Sequence, residues 1–327
     1  MDRRLSLIFG TALVLAAAIA VGATDAPSTA AEPKVQLHED VVYGQGGTRD
    51  LRMDIAIPSG ATKPMPCLLV FHGGGWIQGD KAQFRPLVEF IAAEGYVAAT
   101  VQYRLSRPGV KNPAPWPAQI EDAKCAVRYI RAHAKRWNVD PDKIAAMGFS
   151  AGAHLSMLLG TMDAEDGMEG QGGWADQSSK VNAVVGFYGP TCMGCVAPTN
   201  RAEIPGLPLE DKQRVLRGFA LGAVLGAEFA KDPTRASPLT YVNPGDAPML
   251  LFQGTRDTLV PQFHAELMIE ALTRARVPGK AVFMLGLGHG WRGDPHLTNN
   301  VRDTQRFLDE QFRPSKVRSI LGELNGR

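Results

Sequence analysis

The sequence predicts an α/β fold, a mostly parallel central sheet with helices on both faces. Three observations carry that expectation. Short apolar runs alternate with helical runs of ten or more residues through most of the chain, the pattern of strand–helix–strand units. Gly148-Phe149-Ser150-Ala151-Gly152 stands directly between an apolar run, Ile144-Ala145-Ala146-Met147, and the start of a helical run. An aspartate and a histidine, Asp257 and His289, fall in loops just past two later apolar runs, where open parallel sheets place their functional groups. The chain has 327 residues, 45% of them hydrophobic, enough for one sizeable core with insertions. Net charge is +2 with no basic block, so nothing points to a nucleic-acid partner.

Taken in order, Asp2-Arg3-Arg4 and the apolar, Ala-rich run 5–21 read as a signal peptide over 1–23, cut after Ala23 with Ala26 or Ala30 as alternatives. A membrane anchor is the competing reading, because the run is at the lower limit for a span. The expectation is an exported protein, periplasmic or secreted, with no stable membrane insertion after cleavage. Residues 24–38 read as a linker, 39–315 as the folded domain and 316–327 as a tail. Alternating segments 41–44 and 51–57 suit two antiparallel edge strands. Segment 68–71 is the first central strand, 84–94 a helix ended by Gly95, and 96–101 a strand. Segment 118–137 is one long helix with Ile120, Ala123, Val127, Ile130 and Ala134 at helical spacing. A strand at 143–147, a helix at 151–161 and a strand at 183–188 come next. Residues 162–180 are polar and glycine-rich. Residues 191–243 interrupt the alternation as an insertion with helices near 208–217 and 218–230, where a lid or substrate-shaping element would sit. The last units are strand 248–253, helix 262–276, strand 280–285 and helix 297–312.

The chemistry centres on Ser150. A G-x-S-x-G serine between strand and helix sits on a strained turn that pushes its hydroxyl out above the sheet. Upstream, Leu68-Leu69-Val70-Phe71 runs into His72-Gly73-Gly74-Gly75-Trp76. Three successive glycines expose backbone N–H groups, which acyl transfer needs where charge grows on the carbonyl oxygen. Ala151 N–H, beside the serine, is the partner donor. A plain glycine turn or phosphate cradle is the alternative, but no G-x-x-x-x-G-K-[ST] accompanies it. Asp257 is the expected acid. Asp246 precedes its strand and would lie at the wrong end of the sheet, and Asp294 and Asp303 come after the histidine. His289, between Gly288 and Gly290, is the expected base. His154 lies one helical turn after Ser150 and reads as packed; His264, His296, His133 and His38 fit less well.

Cys67 and Cys125 read as buried structural residues. Cys192-Met193-Gly194-Cys195 has no second pair for zinc and does not open a thioredoxin-type unit, so a local disulfide is expected. No metal or other cofactor is called for.

With these motifs placed, residues 39–313 resemble the α/β-hydrolase esterases that carry H-G-G-G-W, including acetylxylan/feruloyl esterases and hormone-sensitive-lipase-like carboxylesterases. The resemblance rests on His72 to Trp76, Tyr103-Arg104-Leu105, Gly148 to Gly152 with Ala153-His154-Leu155, Ser237-Pro238, Gly254 to Pro261 and Gly288-His289-Gly290. It implies an α/β-hydrolase fold and the chain order serine, acid, histidine. It also implies an oxyanion hole from Gly74, Gly75 and Ala151, with Gly73 a possible substitute. The expected activity is hydrolysis of short acyl esters, acetyl first and feruloyl second, on a small-molecule or oligosaccharide substrate. Trp76 and Trp291 are the expected aromatic contacts to that substrate, with a packing role as the alternative for each. Related readings are an exopeptidase or arylformamidase on the same fold. A non-catalytic binding protein would need a missing triad member.

Overall fold

The computed structural model describes residues 35–106, 113–193, 225–291 and 295–314. The eight strands are β1 (Val35–Gly46), β2 (Arg49–Pro58), β3 (Met65–Phe71), β4 (Val97–Val101), β5 (Val139–Phe149), β6 (Ala183–Phe187), β7 (Met249–Gly254) and β8 (Gly279–Met284). They form one sheet in the order β1-β2-β4-β3-β5-β6-β7-β8. The β1–β2 and β2–β4 pairs are antiparallel and all later pairs are parallel. The helices are α1 (Arg85–Ala93), α2 (Ala118–Ala132), α3 (Ala134–Trp137), α4 (Ala151–Thr161), α5 (Ala227–Lys231), α6 (Phe263–Arg274) and α7 (Pro295–Phe312).

Every residue of β3, β4, β6 and β7 is buried, as parallel strands covered on both faces require. Side chains alternate along a strand, so β3 contributes to the packing on both faces of the sheet. Cys67, Leu69 and Phe71 join one core with Ile120, Val127, Leu155 and Met268 from α2, α4 and α6. Leu68 and Val70 join a second core with Val88, Ile91, Leu308 and Phe312 from α1 and α7. Helix α4 is buried along its whole length, wedged between the sheet and α2. Its apolar composition all round is what such a position demands.

The elements are those expected, but several bounds differ. β1 begins at Val35 and pairs with Pro58, so residues 35–38 belong to the sheet rather than to the linker. Val35 and Leu37 alternate with Gln36 and His38 and pack toward the second core. The helix expected over 118–137 breaks at His133, whose φ of −107° is not helical. β5 starts four residues early because Val139 finds Met65 as a partner. The helix expected at 208–217 lies outside the described residues, as do Cys195, the tail and most of the second insertion helix. Among the described residues no helix is long and apolar enough to cross a membrane; segment 5–21 lies outside them.

The polar stretch 162–180 is tied to α2 by charge. Glu169 accepts from Lys124 Nζ (2.8 Å), from the Arg128 guanidinium and from Ser179 Oγ (2.9 Å). Both cations are almost fully buried. Strands β3, β5, β6, β7 and β8 all run the same way, so Phe71, Phe149, Phe187, Gly254 and Met284 end at one edge of the sheet. The loops carrying the candidate residues all leave from that edge.

Candidate active site

Ser150 has φ 52° and ψ −115°, a conformation that side-chain-bearing residues rarely hold. Tight packing imposes it. A β carbon at Gly148 would lie 2.2 Å from the Gly152 backbone, and one at Gly152 would lie 2.1 Å from Phe71 O. Only glycine at both positions lets β5, the turn and α4 close this tightly. The Ser150 N–H donates to Phe187 O (2.9 Å), which fastens the turn to the end of β6.

The structure brings Ser150, His289 and Asp257 together. The Ser150 hydroxyl lies 3.0 Å from His289 Nε2, and His289 Nδ1 lies 2.7 Å from Asp257 Oδ2. With Nδ1–H donating to the carboxylate, Nε2 is left as the acceptor facing the hydroxyl. The Asp257 carboxylate is buried and held on all sides. Oδ1 accepts from Leu259 N–H (2.9 Å) and Val260 N–H (2.8 Å). Gln253 Nε2 donates to Oδ2 (3.2 Å) and to Val260 O (2.8 Å). Gln253 is not among the residues the sequence singles out. Its signal was a polar residue inside an otherwise apolar strand.

The glycine loop is oriented by its histidine. His72 is fully buried, and burial pushes its imidazole down to about 4, so the ring is neutral. Nδ1–H donates to Gly73 O (2.7 Å), and Nε2 accepts from Gln102 Nε2 (3.2 Å). Tyr103 stacks on the ring at 4.3 Å and donates its hydroxyl to His72 O (2.9 Å). Gly74 O in turn accepts from Ile77 N–H (3.2 Å) and Gln78 N–H (3.1 Å). In a planar trans peptide the carbonyl and the next N–H point in opposite directions. Pinning the Gly73 and Gly74 carbonyls therefore fixes the direction of the Gly74 and Gly75 N–H groups, each opposite its own carbonyl. The loop lies against the serine, since a β carbon on Gly73 would sit 3.4 Å from Ser150 Cβ. Ala151 opens α4, where its amide has no acceptor within the helix. The glycine loop and the first residue of α4 thus both adjoin Ser150.

Trp76 does not take the place expected for it. Its side chain is 3% exposed and meets the His154 ring edge-on at 5.1 Å, inside the first core. The residue after the glycines turns inward with φ 61°, and Ser106 N–H caps its carbonyl at 2.8 Å. Trp76 is a packing residue. Trp291 is half-buried beside Tyr188, with ring centroids 4.9 Å apart, and Tyr188 in turn meets His289 at 4.8 Å. Tyr188 is a second residue that the sequence does not single out.

The rival groups sit elsewhere. His154 donates Nε2–H to Ala236 O (2.5 Å), and burial pushes its imidazole down to about 4. His264 Nδ1 accepts from Thr191 N–H (3.2 Å) and Cys192 N–H (3.4 Å) within the core. Asp246 precedes β7 and accepts from Asn243 N–H (2.8 Å). Cys192 is disulfide-bonded, while Cys67 and Cys125 are buried free thiols. Among the described residues no group of three or more His, Cys, Asp or Glu side chains could hold a metal ion.

The BD-FAE family model matches residues 53–272. The esterase LipC of Mycobacterium tuberculosis is 31% identical over 234 residues, covering 70% of this chain and 54% of its own length. The chain spans about half the length of this and similar mycobacterial relatives. Among solved structures, the propionate-bound esterase Est2 of Thermogutta terrifontis superposes with a TM-score of 0.66 at 30% identity, covering 85% of this chain and 94% of its own. A truncated carbohydrate esterase from gut microbiota superposes with a TM-score of 0.69 at 25% identity, covering 86% and 97%.

Proposed function

The chain belongs to the BD-FAE family within the α/β-hydrolase fold, and from that premise we propose that it is an exported serine esterase that removes short acyl groups, acetyl first, from a carbohydrate alcohol. The observation that carries the reading is the line from the Ser150 hydroxyl through His289 to the Asp257 carboxylate, at 3.0 and 2.7 Å. Those spacings are within reach of proton transfer in the resting enzyme.

In the proposed reaction Ser150 Oγ attacks the ester carbonyl as His289 Nε2 takes its proton. Asp257, held by Gln253 and two backbone N–H groups, fixes the imidazole tautomer and stabilises the imidazolium that forms. The oxygen of the tetrahedral intermediate sits among the N–H groups of Gly74, Gly75 and Ala151. Those donors are held before the substrate arrives, so little reorganisation is needed as charge develops. His289 then returns the proton to the leaving alcohol. Water repeats the sequence on the acyl-enzyme and releases the acid. Every proton moved is carried by His289.

The acyl preference rests on two supports. The propionate bound to the Thermogutta esterase is a short acyl product. The insertion between β6 and β7 is rich in proline and polar residues on either side of its apolar segment 218–227. The carbohydrate esterase neighbour supports a sugar as the alcohol. Export is supported by the disulfide at Cys192, a bond that persists in oxidising compartments. The test is kcat/KM for acetyl against dodecanoyl p-nitrophenyl esters, followed by acetylated xylan oligomers. Preference for acetyl by about tenfold or more is expected, one methylene-sized step being worth about that much in a pocket. A preference for the long chain overturns the acyl assignment, and inactivity on acetylated sugars overturns the carbohydrate assignment.

A further inference from the structure

Tyr188 is the first residue past β6 and has φ 43°. A bulky aromatic rarely adopts that left-handed conformation, and it persists only where the surroundings over-determine it. Here they do. The Tyr188 N–H donates to Phe252 O (2.8 Å) at the end of β7, and the carbonyl just before it, Phe187 O, holds the Ser150 N–H (2.9 Å). The chain at 187–188 is therefore fastened to the serine turn on one side and to the acid-bearing strand on the other. From that fixed point the Tyr188 ring meets the His289 imidazole edge to face, with centroids 4.8 Å apart and planes at 66°. Trp291 also packs on the Tyr188 ring, at 4.9 Å and 72°, and Phe149 and Phe187 meet it at 6.2 and 6.4 Å.

His289 needs such support. It stands between two glycines, and Gly290 has φ 72°, so the backbone around it is intrinsically permissive. Its two nitrogens are bonded to Ser150 and Asp257, and imidazole hydrogen-bonds through N–H and lone-pair directions that lie in the ring plane. Neither bond resists a tilt of the imidazole out of that plane, whereas a ring packed against it does. We propose that Tyr188 is a positioning residue. Its ring holds the His289 imidazole with Nε2 aimed at the Ser150 hydroxyl, and its strained backbone delivers the ring to that place. This rests on the reading of His289 as the general base.

The test compares Tyr188→Phe with Tyr188→Asn. Asparagine tolerates the left-handed backbone but carries no ring. Two readouts are taken, the kcat and KM for p-nitrophenyl acetate, and the rate and end-point of phosphonylation by a fluorophosphonate probe. The phenylalanine variant should stay within about threefold of the parent in kcat, because the ring is kept. The asparagine variant should lose about ten- to a hundredfold in kcat with KM within about threefold, the scale expected when a reacting group is misplaced by about an ångström. Its labelling should slow by a similar factor yet still reach one adduct per chain. Tyr188→Leu, which keeps apolar bulk without a flat ring, should behave as the asparagine variant does and serves if asparagine lowers stability. Ringless variants that keep the parent kcat would overturn the proposal. So would an end-point that falls in step with kcat, which marks lost folded protein, or a phenylalanine variant as slow as asparagine, which would assign the effect to the hydroxyl. A parent protein that neither hydrolyses the ester nor takes up the probe would instead remove the esterase reading itself.

Discussion

Gly74 and Gly75 differ in what an added methyl group would meet. A β carbon on Gly74 would lie 2.1 Å from Gln78 O at φ 112°, while one on Gly75 meets open space at φ 59°. Gly74→Ala should therefore break the loop that fixes both N–H groups and lower kcat by about a hundredfold or more, the scale of a lost oxyanion donor. Gly75→Ala keeps its N–H and costs about 1–2 kcal/mol of backbone strain. Its kcat should stay within about tenfold of the parent in the same assay, and a loss equal to that of Gly74→Ala would contradict this difference between the two glycines. Gln253→Leu removes the donor that fastens Asp257 to Val260. A kcat fall of about tenfold with little change in KM is expected for a group that orients the acid rather than binding substrate. At this scale Ser150, Asp257 and His289 were legible because each sits beside a strand end with glycine or turn residues around it. Gln253 and Tyr188 were not, because each belongs to a segment whose other residues read only as strand. Trp76, which ends the glycine loop, reads from the sequence either as an aromatic contact to the substrate or as a packing residue, and the structure shows packing. Its burial depends on contacts such as that with His154 of α4, far away in sequence.

Elements were more legible than their ends. Runs such as Leu68 to Phe71 announce parallel strands by being apolar at every position, since both faces are covered. Where a strand stops depends on what it pairs with, so β5 reaches back to Val139 only because Met65 is opposite. The glycine-rich stretch 162–180 carried no periodicity, and its order comes from a long-range charge contact with α2. Glu169→Gln should expose that dependence. It leaves Lys124 and Arg128 buried with weaker partners, and breaking such a pair costs on the order of 3 kcal/mol. The urea midpoint should fall accordingly, while kcat per folded molecule at low denaturant stays unchanged. An unchanged midpoint would show that the clamp is not needed for stability.

For the molecule as a whole, three buried neutral histidines set a limit in acid. Burial holds His72 and His154 at about 4 and His264 at about 3, all below the ordinary value of about 6.5. Between those folded values and about 6.5 each imidazole takes up a proton on unfolding, so stability falls as pH falls through that window. Each contributes about 1.4 kcal/mol per pH unit there. Burial raises Asp122 and Asp246 to about 6, which acts in the opposite sense with smaller displacement. Urea midpoints should therefore be clearly lower near pH 5 than near pH 7, and equal midpoints would contradict the neutral state of these rings. The parallel sheet, its covering helices and the arrangement at the strand ends all converge on one hydroxyl. The most direct measurement of that convergence is intact-protein and peptide mass spectrometry after treatment with a fluorophosphonate, on the parent and on Ser150→Ala. One phosphonyl group per chain on the peptide containing Ser150, absent from the alanine variant together with ester hydrolysis, is the predicted result. An adduct on another residue, or hydrolysis that survives in Ser150→Ala, would contradict it.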